Sequence, residues 1–297
     1  MKQEPPPNFL DLPSLAEADS EAVILPLPFE RTTSYGKGAE GGPDAILRAS
    51  CQIELFDEEL GIDFEASGGF HTAPSVQDDP ERSIEQYLKQ VAEKVRAIRD
   101  KFFLALGGEH TVTYGVVEGL VESLDDLTIV MIDAHADLID ELEGRRWSHG
   151  TVARRLWEQG CRVLQIGVRS LSREEHDFIK AGERIETWYA HELSGKWQNL
   201  LARLGDLSGP LYLSVDVDGL DPSLIPSTGT PQPEGLTWRQ TMDVFGALSK
   251  SRAQWLGADV VEFVPSPQSP GCDITAAKLA VKLAAYWRKR NRSSSGL

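Results

Sequence analysis

Cysteine, methionine and basic side chains are all scarce in this chain of 297 residues. Its three cysteines, Cys51, Cys161 and Cys272, are odd in number, far apart and without CxxC spacing. Neither a disulfide framework nor a zinc knuckle can be built from them, and they read as reduced thiols of a cytoplasmic protein. Long apolar runs are missing as well. The longest, 22–28 with Phe29, falls far short of the ~20 residues that a membrane span needs. The opening Met1-Lys2-Gln3-Glu4-Pro5-Pro6-Pro7 offers no apolar stretch ahead of a cleavage site, so no secretory signal is expected. With 30 basic against 46 acidic residues and a net charge of −16, the chain lacks the basic footprint that nucleic acid requires. An acidic balance favours cationic ligands or metal ions, or else serves solubility alone. The hydrophobic share of 41% and charged share of 26% are those of a folded globular chain.

What is present is alternation. Short β-branched runs end in Gly or Asp and give way to helical patterns, with no internal repeat and no linker. The expected strands are 22–27, 102–106, 127–132, 163–167, 184–188, 211–217 and 258–263; the expected helices are 43–50, 83–100, 113–121, 151–158, 172–181, 196–204, 238–249 and 275–288. Pro43 suits a helix start, and Ser83 and Ser172 suit helix caps. Strands apolar on both faces and alternating with helices predict an α/β chain with a parallel sheet between helical layers. The length fits one domain, 1–297, with loose tails at about 1–20 and 291–297. Ligands of such sheets gather at the carboxyl ends of the strands.

Three of those ends carry the chemistry. Leu127–Ile132 runs into Asp133-Ala134-His135-Ala136-Asp137. While the chain stays extended, Asp133 and His135 project to one face, and Asp137 falls where the strand bends into a loop. Such groups at a buried strand end are costly unless paired, by hydrogen bonds or by a metal. In Ser214-Val215-Asp216-Val217-Asp218-Gly219 the two carboxylates alternate with valine, and side by side they repel unless a cation neutralises them. Asp221-Pro222 just beyond reads as turn chemistry. The third end is Gly107-Gly108-Glu109-His110-Thr111, where His110 is either a satisfied helix-start residue or a ligand. Nitrogen and oxygen donors without thiolate suit Mn²⁺, Zn²⁺, Fe²⁺ or Ni²⁺, and the carboxylate-rich set favours the harder ions. Four aspartates and two histidines exceed one zinc and fit two metals with shared carboxylates. Gly36-Lys37-Gly38-Ala39-Glu40-Gly41 matches GxGxxG literally. It starts well beyond the preceding strand, however, and reads as a glycine-rich loop feeding the helix at Pro43 rather than a dinucleotide fingerprint.

Taken together, GGEHT, DAHAD, Ser148-His149-Gly150 and SVDVDGLDPS, in this order and spacing, resemble the ureohydrolase family of arginases and agmatinases. The similarity runs from about Thr33 to Thr275, and the loop Asp140-Glu141-Leu142-Glu143-Gly144 is closest to the archaeal-type agmatinases. The resemblance implies a three-layer α/β/α sandwich around an eight-stranded, mostly parallel sheet, assembled as trimers or hexamers. By motif, His110 and Asp137 would ligate a first metal, His135 and Asp218 a second, and Asp133 and Asp216 would bridge them, both ions being Mn²⁺. His149 matches the family's catalytic histidine. Glu262 matches the glutamate that holds the substrate guanidinium, although alone it is a carboxylate at an apolar strand end, open also to a buried salt bridge. The implied reaction is hydrolysis of a small cationic guanidino compound, foremost agmatine, to urea and an amine. Aminopropylagmatine, guanidinobutyrate and arginine are the alternatives. An α-carboxylate would meet Ile139 where arginases carry an asparagine, and the loop acids Asp140, Glu141 and Glu143 would favour a dication.

Two departures from the pattern stand out: Glu109 and Thr111 replace the commoner Asp and Ser around His110, and 265–271 is unusually rich in proline and serine, which bears on specificity. Among rival readings, a one-zinc deacetylase of related fold would keep the Asp-x-His pair without needing both His110 and Asp137. A formimidoylglutamase would tend to carry serine in place of His149. A dinucleotide-dependent oxidoreductase rests on the glycine motif alone, and a non-catalytic oligomer leaves the full ligand set unexplained.

Overall fold

The computed structural model describes residues 6–66 and 69–295. Eight strands form one sheet: β1 Ala22–Leu27, β2 Phe70–Thr72, β3 Phe102–Gly107, β4 Thr128–Ile132, β5 Arg162–Val168, β6 Ile185–Tyr189, β7 Ser208–Asp216 and β8 Arg252–Val261. Their order across the sheet is β2-β1-β3-β8-β7-β4-β5-β6, and every pairing in it is parallel. A two-stranded antiparallel ladder, Phe56–Asp57 with Ile62–Asp63, stands apart.

The helices are α1 Gly42–Ser50, α2 Ile84–Ala97, α3 Val112–Leu120, α4 Val152–Glu158, α5 Arg173–Ala181, α6 Ala190–Gly205, α7 Trp238–Lys250 and α8 Pro270–Ser295. Period-two alternation along the strands creates two cores. Val130 and Ile132 of β4 join one hydrophobic cluster with residues of α1, α6, α7 and α8. Ile129 and Met131 join the other, with residues of α2, α3 and α4. The three-layer sandwich follows, because each strand is apolar on both faces and must be covered twice. Ser83 and Ser172 cap their helices as expected, each accepting the N–H three residues on while Gln86 or Glu175 reaches back.

Most elements from the sequence reading land within a few residues, but β8 and α6 each begin six residues before the expected 258 and 196, and three further differences stand out. β2 is a three-residue edge strand, too short for alternation to show. The N-terminal tail is not loose where it is described. Phe9 and Leu10 are buried, the Phe9 N–H donates to Thr72 Oγ1 at 3.0 Å, and Leu10 N–H donates to Ser50 Oγ at 2.9 Å. The Phe9 ring meets Phe70 edge-on with centroids 5.3 Å apart. Two apolar side chains among prolines suffice to seat the segment, and residues 1–5 lie outside the described ones. At the other end α8 continues through Ser295 because Arg and Lys sustain a helix as readily as a coil; 296–297 lie outside the described residues. Among the described residues no helix is long and apolar enough to cross a membrane.

Candidate metal centre and active site

The carboxyl ends of β3, β4, β7 and β8, neighbours in the sheet, converge on one pocket. Its walls include His110, His135, Asp137, His149, Asp216, Asp218 and Glu262, with Thr33–Gly36 and Gly229–Thr230 at its rim. Convergence depends on close backbone approach. A Cβ on Gly108 would stand 2.1 Å from the Phe29 carbonyl oxygen, and one on Gly219 would stand 2.7 Å from the Asp133 nitrogen. Arg169 secures the loop over the site by donating to four carbonyls, those of Gly167, Asp218, Gln232 and Pro233.

Asp133 follows directly on β4, where the chain leaves the sheet. Its Oδ1 accepts the His135 N–H at 2.6 Å, while its Oδ2 lies 3.1 Å from His110 Nδ1. Asp137, at positive φ (52°), brings Oδ2 within 3.1 Å of the same nitrogen, and Asp216 Oδ2 lies 3.5 Å from it. Across the pocket His135 Nδ1 sits 3.0 Å from Asp218 Oδ2 and 3.7 Å from Asp133 Oδ1. Asp216 and Asp218 do not share a strand face as the sequence suggested. β7 ends at Asp216 and Asp218 stands on a single 3₁₀ turn, whose first N–H groups Asp216 caps: its Oδ1 accepts the Asp218 N–H at 2.8 Å. The turn still delivers both carboxylates to the pocket.

The donor atoms form two groups compact enough to hold an ion each, His110–Asp133–Asp216 and Asp133–His135–Asp218. Asp133 belongs to both. Hydrogen-bond arithmetic tests whether a cation fits. Asp259, buried in β8, accepts from Ser214 Oγ, Val215 N, Thr113 Oγ1 and Tyr212 OH. Ser214 therefore spends its proton on Asp259 and can only accept from His110 Nε2, 2.9 Å away. That leaves the Nδ1 lone pair of His110 aimed at carboxylate oxygens, and neither His110 Nδ1 nor Asp133 Oδ2 finds a hydrogen-bond partner. Lone pairs facing lone pairs in a buried site require a positive charge between them, and a ligating histidine held through its other N–H is the usual metal arrangement. The residues fit the metals.

Electrostatics say the same. Burial and then Asp137 push Asp133 up to about 7, and burial with Asp218 pushes Asp216 well above the carboxylate range. Burial opposes a charge on His135, but Asp218, Asp133 and Asp137 outweigh it and hold the imidazolium up to about 9. Burial likewise opposes a charge on Asp218, and His135 more than offsets it, holding that carboxyl low. Where metals are lacking, protons do their work.

A match to the Arginase family model spans residues 20–286. The chain belongs to the arginase family. Full-length relatives agree. The N(1)-aminopropylagmatine ureohydrolase of Synechocystis is 36% identical over 97% of this chain and 96% of that protein. The agmatinase of Pyrococcus horikoshii is 34% identical over 91% and 93%. The crystal structure of agmatine ureohydrolase of Thermoplasma volcanium superposes with a TM-score of 0.84 at 28% identity, covering 95% of this chain and 94% of that one. This arginase-family protein is thus a ureohydrolase, a hydrolase acting on a guanidino group, and its Asp and His clusters suit the binuclear metal chemistry of its family.

Glu262 and His149 complete the arginase-family pocket. Glu262 follows β8 at positive φ (62°), a conformation that non-glycine residues hold only where the surroundings enforce it. Its N–H donates to Gly108 O at 2.8 Å, and its Oε1 accepts the His110 N–H at 2.7 Å. Burial and then the charge of Glu109 raise its pKa well above the usual range, so an arriving cation restores the carboxylate. His149 opens a 3₁₀ turn, with its ring between Thr32 Oγ1 and Ser34 Oγ.

Sequence reasoning missed Thr32, Ser34, Ser214, Asp259 and Arg169. Ser214 stood in plain view two residues before Asp216 on the same strand face, and Asp259 is a lone carboxylate in an apolar strand. Thr32 and Ser34 had no local signal, since their partners lie more than a hundred residues away. Two of the three loop acids are engaged elsewhere. Asp140 pairs with buried Arg155 and Glu143 with Arg145, and neither lines the pocket. Ile139 packs near Gly150. No residue of 265–271 is among those lining the pocket, and Pro265 packs against Gly41.

Proposed function

We propose that this ureohydrolase acts on agmatine, releasing urea and putrescine, with two Mn²⁺ bound by His110, Asp133, His135, Asp137, Asp216 and Asp218. The observation that carries the reading is a single pocket in which two shared-carboxylate clusters meet Glu262 and His149, with no lysine or arginine among its lining residues. Aminopropylagmatine is the second reading, favoured by relatives of that name at 35–36% identity. The hard, carboxylate-rich donor set supports manganese, and the family resemblance supports a homo-oligomer, trimer or hexamer, in the cytoplasm.

What two divalent cations supply here when bound is a nucleophilic water ionised at neutral pH. The protein does the rest. With Oε1 occupied by the His110 N–H, Glu262 turns Oε2 to the planar guanidinium and orients it by charge-assisted hydrogen bonds. Asp137 keeps its second oxygen free to accept a hydrogen bond inside the pocket. His149 holds the proton that the departing amine must gain, since an amide anion is a very poor leaving group. Backbone glycines let the rim close tightly around the guanidino end, excluding bulk water. Urea release measured on Mn²⁺-loaded protein with agmatine and aminopropylagmatine tests the reading; no urea from either substrate refutes it.

A further inference from the structure

We infer that Thr32, anchored by Glu109, is the positioning residue that fixes the tautomer of His149, so that only Nε2 handles a proton in the pocket. The catalytic meaning rests on the ureohydrolase reading above; the tautomer does not.

The chain of donors starts at Glu109, fully buried beside His110 but turned away from the pocket. Its Oε2 accepts the backbone N–H groups of Arg31 and Thr32, both at 2.7 Å. Its Oε1 accepts the hydroxyls of Thr32, at 2.7 Å, and Thr111. A carboxylate surrounded by four donors only accepts. The single hydroxyl proton of Thr32 is therefore committed to Glu109, and Thr32 Oγ1 keeps two lone pairs. One accepts the His149 backbone N–H at 3.1 Å. The other faces His149 Nδ1, also at 3.1 Å. Thr32 has no proton left to give, so Nδ1 must carry one and donate it.

The neutral ring is then bare at Nε2, which lies 3.1 Å from Ser34 Oγ. A serine hydroxyl donates to a bare nitrogen and accepts from a protonated one, so Ser34 follows either state. In turnover Nε2 takes a proton from the hydroxyl of the tetrahedral adduct formed at the guanidino carbon. It returns that proton to the leaving nitrogen as the C–N bond breaks and its electron pair goes to nitrogen. The Nδ1–H to Thr32 bond stays in place throughout. The opposite tautomer would present an N–H where a base is needed, the defect that makes loss of an orienting partner so costly in other histidine-dependent hydrolases. This accounts for Glu109 and Thr111, whose side chains touch no metal-capable atom group.

The test is a long-range ¹H–¹⁵N correlation spectrum of histidine-labelled, metal-free protein, with the His149 signals assigned by their loss in His149→Gln. With the ring in its neutral form, which the same spectrum identifies, the wild type and Thr32→Ser should both show Nδ1 protonated and Nε2 bare. Thr32→Val should lose that preference. In Mn²⁺-loaded protein Thr32→Val should lower kcat by on the order of 10-fold or more, with KM within a few-fold, and Thr32→Ser should restore the rate. A wild-type ring protonated at Nε2 overturns the inference, as does an unchanged tautomer in Thr32→Val. If Thr32→Val does not fold, the wild-type and Thr32→Ser spectra still decide. Failure of the ureohydrolase reading would appear separately, as absence of urea with the tautomer intact.

Discussion

His110 Nδ1 lies 3.1 Å from Asp133 Oδ2, both buried, and neither atom has a hydrogen-bond partner. Because Asp133 also reaches His135 through its other oxygen, one carboxylate links both halves of the centre. Asp133→Asn should therefore abolish binding of both ions, whereas His135→Ala should release one. Elemental analysis after reconstitution checks this: two ions per chain in the wild type, one in His135→Ala and none in Asp133→Asn are expected. Retention of one tight ion by Asp133→Asn would show that the two halves load independently.

The metal-free protein should have an inverted pH profile. Asp133 is held up at about 7 and His135 at about 9, both above their ordinary values. A group whose folded pKa is raised stabilises the fold below its unfolded pKa and loses that contribution as the pH climbs through the folded value. Asp133 thus withdraws stability on the way to neutrality and His135 between neutrality and about pH 9, while Asp218, whose pKa is lowered, pulls the other way only in acid. Tm of the metal-free protein should fall between about pH 6 and pH 9, and the increment produced by Mn²⁺ should grow over the same range. A metal-free Tm that is flat or rising there would mean that the cluster does not hold protons in place of metals.

Much of this was legible in the sequence, and the limits were physical. Strand and helix positions followed from apolar runs because a parallel sheet buried on both faces leaves little freedom. Three strand ends announced themselves because charged residues after such runs have few explanations, and the motif resemblance added His149 and Glu262. Seven of the eight candidate side chains line one pocket, and the eighth, fully buried Asp133, lies against His110. What stayed hidden depends on contacts distant in sequence. Nothing near Thr32 announces His149, and nothing near Asp140 reveals that Arg155 will claim it. Phe9 and Leu10 stand in a proline-rich segment, and their partners, Phe70 and Ser50, lie far along the chain.

Glu262→Gln separates charge from shape. The amide can still accept the His110 N–H through its oxygen, so the pocket should keep its form. A neutral amide cannot match a guanidinium charge, and loss of one buried, hydrogen-bonded charge partner costs about 2–5 kcal/mol. kcat/KM for agmatine should fall by on the order of 10²-fold or more, and the metal-free variant should be more stable than the wild type at neutral pH, since a carboxyl whose pKa is raised on folding costs stability above its unfolded pKa and a neutral amide does not. Steady-state kinetics and thermal melts read both effects. Unchanged kinetics with altered stability would make Glu262 structural alone.

Preference for a decarboxylated substrate follows from the pocket wall rather than from the loop acids. Carboxylates of Asp137, Asp216, Asp218 and Glu262 line it, and no lysine or arginine does. The α-carboxylate of arginine would enter without a cationic side chain to pair it. Asp140 is spent on Arg155 and does not decide the matter. Leaving a carboxylate desolvated and unpaired costs a few kcal/mol, so kcat/KM for agmatine should exceed that for arginine by on the order of 10²-fold or more. 4-Guanidinobutyrate should suffer the same penalty, because its carboxylate stands where agmatine carries an ammonium. Aminopropylagmatine escapes it, having only added cationic length that can leave past Tyr35, a rim residue that is 83% exposed. An exposed aromatic face attracts such a cation by about 0.5–1 kcal/mol. Tyr35→Ala should therefore raise KM for aminopropylagmatine a few-fold while leaving that for agmatine unchanged. Comparing kcat/KM for the four compounds on wild type and Tyr35→Ala reads both effects. Arginine equal to agmatine would require a cationic group at the pocket that the wall does not contain.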